Sequence, residues 1–282
     1  MAADYSTTPA GLTQHVLQRH GCPIHYWIGG DSSRPLVVLL HGATMDHRMF
    51  NDQVTVLLPN YRVLVWDAPG HGDSQPSGVD ISLALYADDV LAIVASLGVN
   101  QFVVIGQSMG GYIAQYLYKQ APQRLLAMVI IGAIPIAKPY STLEVLTLKV
   151  SAPLLNLWPY ENFSQAIAKQ IAITEPVQRY ALDAIRRVPR DEFRRIWKAV
   201  TLVISSEGMP DLKFNLPLLL VHGVQDTTGT IKRDMPLWAK ETPRAEFHII
   251  PEAGHNANQD NPDVMNRLML DFLSRTVKLP IA

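Results

Sequence analysis

Short apolar runs rich in β-branched residues recur along the chain, with helical patterns between them. The runs are LVVLLH (36–41), YRVLVWD (61–67), FVVIGQ (102–107), LAMVIIG (126–132), LPLLLVHG (216–223) and EFHIIP (246–251). They lack apolar–polar alternation, as expected of parallel strands covered by helices on both faces. Ahead of them, QHVLQRH and PIHYWIG flank Gly21-Cys22 and predict an antiparallel hairpin at the sheet edge. Helices are expected near 82–97, 108–120, 230–240 and 262–276, with Pro262 suited to a first helical turn. Between Ile134 and Lys213 the rhythm changes. STLE (141–144) has the form of a capping box, and Leu143, Leu146 and Val150 follow it at helical spacing. Three more stripes come after it: Phe163, Ile167, Ile171; Val177, Tyr180, Ala184, Val188; and Phe193, Trp197, Val200, Ile204. The expected organisation is an α/β core at 1–134 and 214–282, interrupted by a helical lid at 135–213.

Composition narrows the function classes. The chain has 282 residues, enough for one large α/β domain, and its 48% hydrophobic and 17% charged residues describe a packed globular protein. A formal net charge of −1 offers no polyanion-binding surface, so nucleic acid is not an expected partner. The single cysteine, Cys22, cannot form an internal disulfide, which fits a cytoplasmic location and an inert thiol. The opening MAADYSTTPAGLTQH lacks the basic and apolar regions of a secretion signal. The apolar run at 125–137 is broken by Gly132 and Pro135 and is too short to span a bilayer. Spacing of His41, His47 and His71 matches turn residues rather than a metal-ligand set, so neither a metal nor a cofactor is expected.

The chemistry gathers at VVIGQSMGGYIAQYL (103–117), where Gly106-Gln107-Ser108-Met109-Gly110 joins a strand to a helix. Gly-x-Ser-x-Gly in that setting is a nucleophile elbow, a bend sharp enough to project a hydroxyl above the sheet. A serine hydroxyl needs a base and an orienting acid. Asp226 follows the strand ending VHGVQD, and His255 follows the last strand in IIPEAGH, giving the order serine, acid, histidine. LLHGATMD (39–46) follows the first long parallel strand, and the backbone N–H groups of Ala43 and Met109 are assigned to an oxyanion hole. Trp158, Tyr160 and Phe163 are candidates for lining an apolar acyl pocket, with packing inside the lid as the competing role. Arg186, Arg187, Arg190, Arg194, Arg195 and Lys198 read as a solvated helix face, with an anionic-substrate clamp as the alternative. His47 and Arg48, after the oxyanion turn, read as solvated residues of a helix start.

The segments LLHGATMDHRMF, VLVWDAPGHGDS, GQSMGGYIAQ, LLLVHGVQD and IPEAGHNANQDNP together resemble the α/β-hydrolase fold superfamily. The resemblance is to its compact lid-bearing type, as in 3-oxoadipate enol-lactonases and small carboxylesterases. It implies that the turn Asp67 to Ser74 is structural, so His71 and Ser74 are not catalytic. A serine at the elbow departs from the aspartate of haloalkane dehalogenases and epoxide hydrolases. The expected activity is cleavage of a carboxylic ester or lactone of a small to medium, largely hydrophobic substrate through an acyl-enzyme. Cofactor-free haloperoxidase-like chemistry, carbon–carbon bond hydrolysis and acyl transfer stand as alternatives within the fold. A ligand receptor that keeps the triad stands as one from another class.

Overall fold

The computed structural model describes residues 4–137, 159–205 and 212–278. Eight strands form one sheet: β1 (Leu12–Arg19), β2 (Cys22–Gly29), β3 (Leu36–Leu40), β4 (Arg62–Trp66), β5 (Phe102–Gln107), β6 (Leu125–Ile131), β7 (Leu218–Gly223) and β8 (Ala245–Ile250). Their spatial order is β1-β2-β4-β3-β5-β6-β7-β8. The first two strands are the antiparallel hairpin, β2 pairs antiparallel with β4, and all later neighbours are parallel.

The unbroken apolar runs follow from two separate cores. On β3, Leu36, Val38 and Leu40 face one core, while Val37 and Leu39 face the other. On β7, Leu218 and Leu220 are divided from Leu219 and Val221 in the same way. The first core is closed by α2 (Leu83–Ser96), α3 (Met109–Gln120) and α7 (Ile231–Glu241), and the second by α1 (Asn51–Leu57) and α9 (Pro262–Thr276). Caps fix two of these starts: Ser82 accepts the Leu85 N–H at 3.1 Å, and Pro262 begins α9 behind Asn261. The EFHIIP run behaves differently from the interior strands. It forms the edge strand β8, and its Ile249 is 49% exposed.

Three of the four stripes between β6 and β7 fall on helices: α4 (Tyr160–Ile171), α5 (Glu175–Arg186) and α6 (Arg190–Ser205). The stripe at Leu143, Leu146 and Val150 and the STLE motif lie outside the described residues. Val177, Tyr180, Ala181, Ala184 and Ile185 of α5 join the second core, and Phe163, Phe193 and Ile196 of α4 and α6 join the first. The short helix α8 (Ala257–Asp260) connects the β8 loop to α9.

Candidate active site

Parallel strands deliver their following loops to one edge of the sheet, and ligands bind outside that edge in open α/β folds. Ser108 sits there between β5 and α3 with φ 50° and ψ −113°, a region disfavoured for any residue bearing a Cβ. The strain is held from several sides. Ser108 donates its N–H to Ile131 O at 2.8 Å, and Gly111 donates to Ser108 O at 2.8 Å. A Cβ on Gly110 would collide with Leu40 O, and one on Gly106 with Gly110 O, so both elbow glycines are required by close backbone approach.

Asp226 and His255 meet across the neighbouring loops. His255 Nδ1–H donates to Asp226 Oδ2 at 3.0 Å, leaving the Nε2 lone pair available as a base. The second carboxylate oxygen of Asp226 accepts the Thr228 N–H at 2.8 Å. Burial pushes the Asp226 carboxyl up, but the His255 contact and the Thr228 hydrogen bonds outweigh it and hold the group below its ordinary value. His255 is 6% exposed and stands over Gly132, where an added Cβ would lie 3.1 Å from Nδ1. Among the described residues the Ser108 hydroxyl makes no hydrogen bond to His255. The Asp226–His255 contact is formed and a Ser108–His255 contact is not; contacts of that kind in active sites commonly tighten only with substrate in place.

The turn after β3 lies directly beside the elbow. A Cβ on Gly42 would come 3.5 Å from the Ser108 Cβ and would collide with Gln107 Oε1. Among the described residues, neither the Ala43 nor the Met109 N–H donates to a backbone carbonyl, which leaves two donors beside the serine. Thr44, next to Ala43, has φ 63°, an outlier for a β-branched residue. Glu252, in the loop leading to His255, has φ 51°. Strained backbone therefore occurs in the turn after β3, at Ser108 and in the loop bearing His255 alike.

Sequence reasoning passed over Gln107. Its buried amide donates to His255 O at 3.1 Å while its carbonyl packs on Gly42, so it ties the histidine loop to the oxyanion turn. The available signal was its place inside the elbow motif.

His47 and Arg48 are not solvated, contrary to expectation. His47 is 4% exposed, stacks on Trp27 with ring centroids 3.6 Å apart, and hydrogen-bonds Asp67 at 2.9 Å and Thr8 at 2.9 Å. Arg48 is buried against Asp46 and Asp183. Much of the basic run is likewise paired: Arg186 with Glu161, Arg187 with Asp46 and Asp73, Arg194 with Asp191. Arg195 donates to Ser77 Oγ at 3.2 Å. All six side chains of the run nonetheless stay exposed, as a solvated helix face would have them.

Of the pocket candidates, Trp158 lies outside the described residues. Tyr160 donates to Val188 O at 2.9 Å, and its ring stands edge-on to Phe193 with centroids 5.8 Å apart. Phe163 is 6% exposed and meets Phe193 edge-on at 5.3 Å. Both pack among the inserted helices. Cys22 is fully buried and its thiol is pushed up to about 12, chiefly by burial, so it is inert.

His71 and Ser74 hold the turn at 67–74, as the resemblance implies. Ser74 Oγ accepts the His25 N–H at 2.8 Å. His41 Nε2 accepts the Ala68 N–H at 3.0 Å while Nδ1–H donates to Gly42 O at 2.8 Å, which requires a neutral ring. Burial lowers the pKa of both His41 and His71. Folded-state values below the unfolded value of about 6.5 mean that the unfolded chain binds more protons as pH falls. Stability should be fully present above that pH. Below it, stability should fall by about 1.4 kcal/mol per pH unit for each such ring. Urea unfolding from pH 7 to pH 5 checks this, and a flat profile would exclude two neutral buried imidazoles.

A family model described as the alpha/beta hydrolase family matches residues 37–268. The chain belongs to that family. It is 30% identical over 267 residues to 2-succinyl-6-hydroxy-2,4-cyclohexadiene-1-carboxylate synthase of Enterobacter sp. strain 638, covering 88% of this chain and 95% of that protein. It is 28% identical over 248 residues to pimeloyl-[acyl-carrier protein] methyl ester esterase of Aeromonas hydrophila, covering 85% and 95%. Among solved structures, a hydrolase from Pseudomonas aeruginosa PA01 superposes with a TM-score of 0.80 at 21% identity, over 94% of this chain and 99% of that one. No helix among the described residues is long and apolar enough to cross a membrane.

Proposed function

We propose that this protein is a serine hydrolase that cleaves a carboxylic ester or lactone through an acyl-enzyme. The observation that carries the reading is the Asp226–His255 hydrogen bond at the same sheet edge as a strained Ser108 flanked by unpaired backbone N–H groups. Ser108 Oγ attacks the substrate carbonyl carbon, and His255 Nε2 takes the hydroxyl proton. Asp226 holds the imidazole in the tautomer that frees Nε2 and stabilises the imidazolium. The Ala43 and Met109 N–H groups receive the charge that develops on the carbonyl oxygen. His255 then protonates the departing alkoxide, and the same ring activates the water that releases the acid. The esterase among the relatives supports an ester as substrate.

The segment 135–213 acts in this reading as a lid that excludes water and sets acyl preference. Tyr160 and Phe163 serve it through the shape of its helices, as their packing against Phe193 supports. A turnover panel of p-nitrophenyl esters of graded chain length, lactones and enol-lactones tests the substrate class. Saturable hydrolysis of at least one member, absent from Ser108→Ala, is the expected result. If a fluorophosphonate labels Ser108 while no ester or lactone is turned over, the substrate class is wrong and the nucleophile assignment stands.

A further inference from the structure

The inserted helix α5 is fastened at both ends, and each fastening reaches a different part of the site. At its start, Asp260 Oδ1 accepts the N–H groups of Ile173 and Thr174, each at 3.1 Å, and the Thr174 hydroxyl at 3.1 Å. The other oxygen of the same carboxylate accepts the Gly254 N–H at 2.9 Å. Asn256 donates its N–H to Ile171 O at 2.8 Å. Gly254 and Asn256 are the residues on either side of His255, so the chain entering α5 is bound to both flanks of the histidine.

From its middle to its C-cap, α5 presents Tyr180, Asp183 and Arg187 to the turn after β3. Their spacing of three and four residues places them on one helical face. Asp46, which is 1% exposed and follows Ala43 by three residues, is bonded directly by Tyr180 and Arg187 and joined to Asp183 through Arg48. The Asp46 N–H donates to the Tyr180 hydroxyl at 3.3 Å, and Arg187 Nη1 reaches Asp46 Oδ2 at 3.2 Å. Arg48 bridges Asp46 at 2.7 Å to Asp183 at 2.8 Å. The turn carries this connection toward Ala43 through the Met45 N–H, which donates to Gly42 O at 3.1 Å.

A helix of this length spans about 18 Å at 1.5 Å per residue and resists stretching far more than a loop does. We infer that α5 is a strut that sets the distance between the His255 loop and the oxyanion turn, with Asp260 and Arg187 as positioning residues at its two ends. The inference rests on the proposed triad, because it concerns the spacing of the groups assigned there. Base and oxyanion donors must both fit one transition state, and a misplacement of about 1 Å can cost a hundredfold in rate. A strut fixed to both loops adds a second, stiffer tie to the one that Gln107 makes between them.

Three variants test it: Asp260→Asn, Arg187→Gln and the pair together, assayed on a short-chain p-nitrophenyl ester. Each single variant should lower kcat roughly tenfold or more, with KM within about threefold, because positioning acts on the transition state. Sites this far apart with no shared partner ordinarily give additive effects. Here the double variant should be no worse than about twofold below the poorer single one, since releasing either end already disables the strut. Additive losses would overturn the inference.

Amide hydrogen exchange supplies a second readout that needs only Arg187→Gln. The Gly254 and Asn256 amides, at the opposite end of α5, should exchange roughly tenfold faster than in the parent protein. Unchanged exchange there, in a variant that has lost kcat, would show that the two ends act separately. If Asp260→Asn fails to fold, Thr174→Val removes one bond at the same end and takes its place in the cycle. Should Ser108→Ala keep parental activity, the triad reading fails, and the exchange experiment still decides whether α5 couples the two loops.

Discussion

Asp226→Asn is expected to lower turnover by on the order of ten-thousandfold while leaving the fold intact. The reason lies in which atom carries the proton. As a carboxylate, Asp226 accepts from His255 Nδ1 and leaves Nε2 bare to receive the Ser108 proton. An asparagine can still accept the Thr228 N–H with its oxygen, so the loop keeps that bond. Its amide then faces Nδ1 as a donor, Nδ1 must accept, and the ring proton moves to Nε2. A base already protonated at the working nitrogen cannot assist the serine. Asp226 also contributes stability through its depressed pKa. That contribution is present above the unfolded value near 3.9 and is lost as pH falls through the lower folded value. The variant should therefore lose part of its acid-unfolding transition below about pH 4. Steady-state kinetics with circular dichroism checks both claims, and near-parental turnover would reject the assigned pair.

Ser108→Ala should lose roughly a thousandfold or more in kcat, leaving only binding and the oxyanion donors to act. The companion measurement is covalent. A fluorophosphonate should form one Ser108 Oγ–phosphorus bond with loss of fluoride, found by peptide mass mapping. Ser74 is a poor competitor: it is fully buried and its hydroxyl already accepts the His25 N–H. Label on any other serine, with Ser108 unmodified, would overturn the assignment. The alanine variant should also gain stability or hold it, because the hydroxyl is removed without emptying a packed position.

Most of the sheet was legible because a strand buried on two faces leaves a continuous apolar run, and every such run became a strand. The same is true of the loops bearing Ser108, Asp226 and His255, since each lies immediately beyond one of those runs. The start of the helix leading into α1 was expected at His47 and Arg48, but not its extent. α1 is a short element whose buried face includes Asn51, Asp52 and Gln53, polar residues that break an apolar stripe. The reading of Arg48 failed for a different reason, and the partners of the exposed basic run were hidden by it too. Periodicity reports which residues share a face, but Arg187 is paired with Asp46, 141 positions away, and nothing local marks that partner. The elbow motif marked the position of Gln107, but its contact with His255 O, 148 positions away, was hidden for the same reason. The positive φ of Thr44 and Glu252 was invisible because neither residue is a glycine, the usual sign of such backbone.

The pairing of β6 with β7 has a consequence for synthesis of the chain. β6 pairs with β5 along one edge, and its other edge is taken by β7, which follows only after α4, α5 and α6. At translation rates of ~5–20 residues per second, the edge of Leu125–Ile131 waits for several seconds with no neighbour. It is an unbroken apolar strand with no charge along it, the kind of edge that recruits other chains. The half-made sheet is therefore most exposed to aggregation while the inserted helices are being made. Variants that slow docking of Leu218–Gly223 should reduce soluble yield more than they reduce the stability of the finished protein.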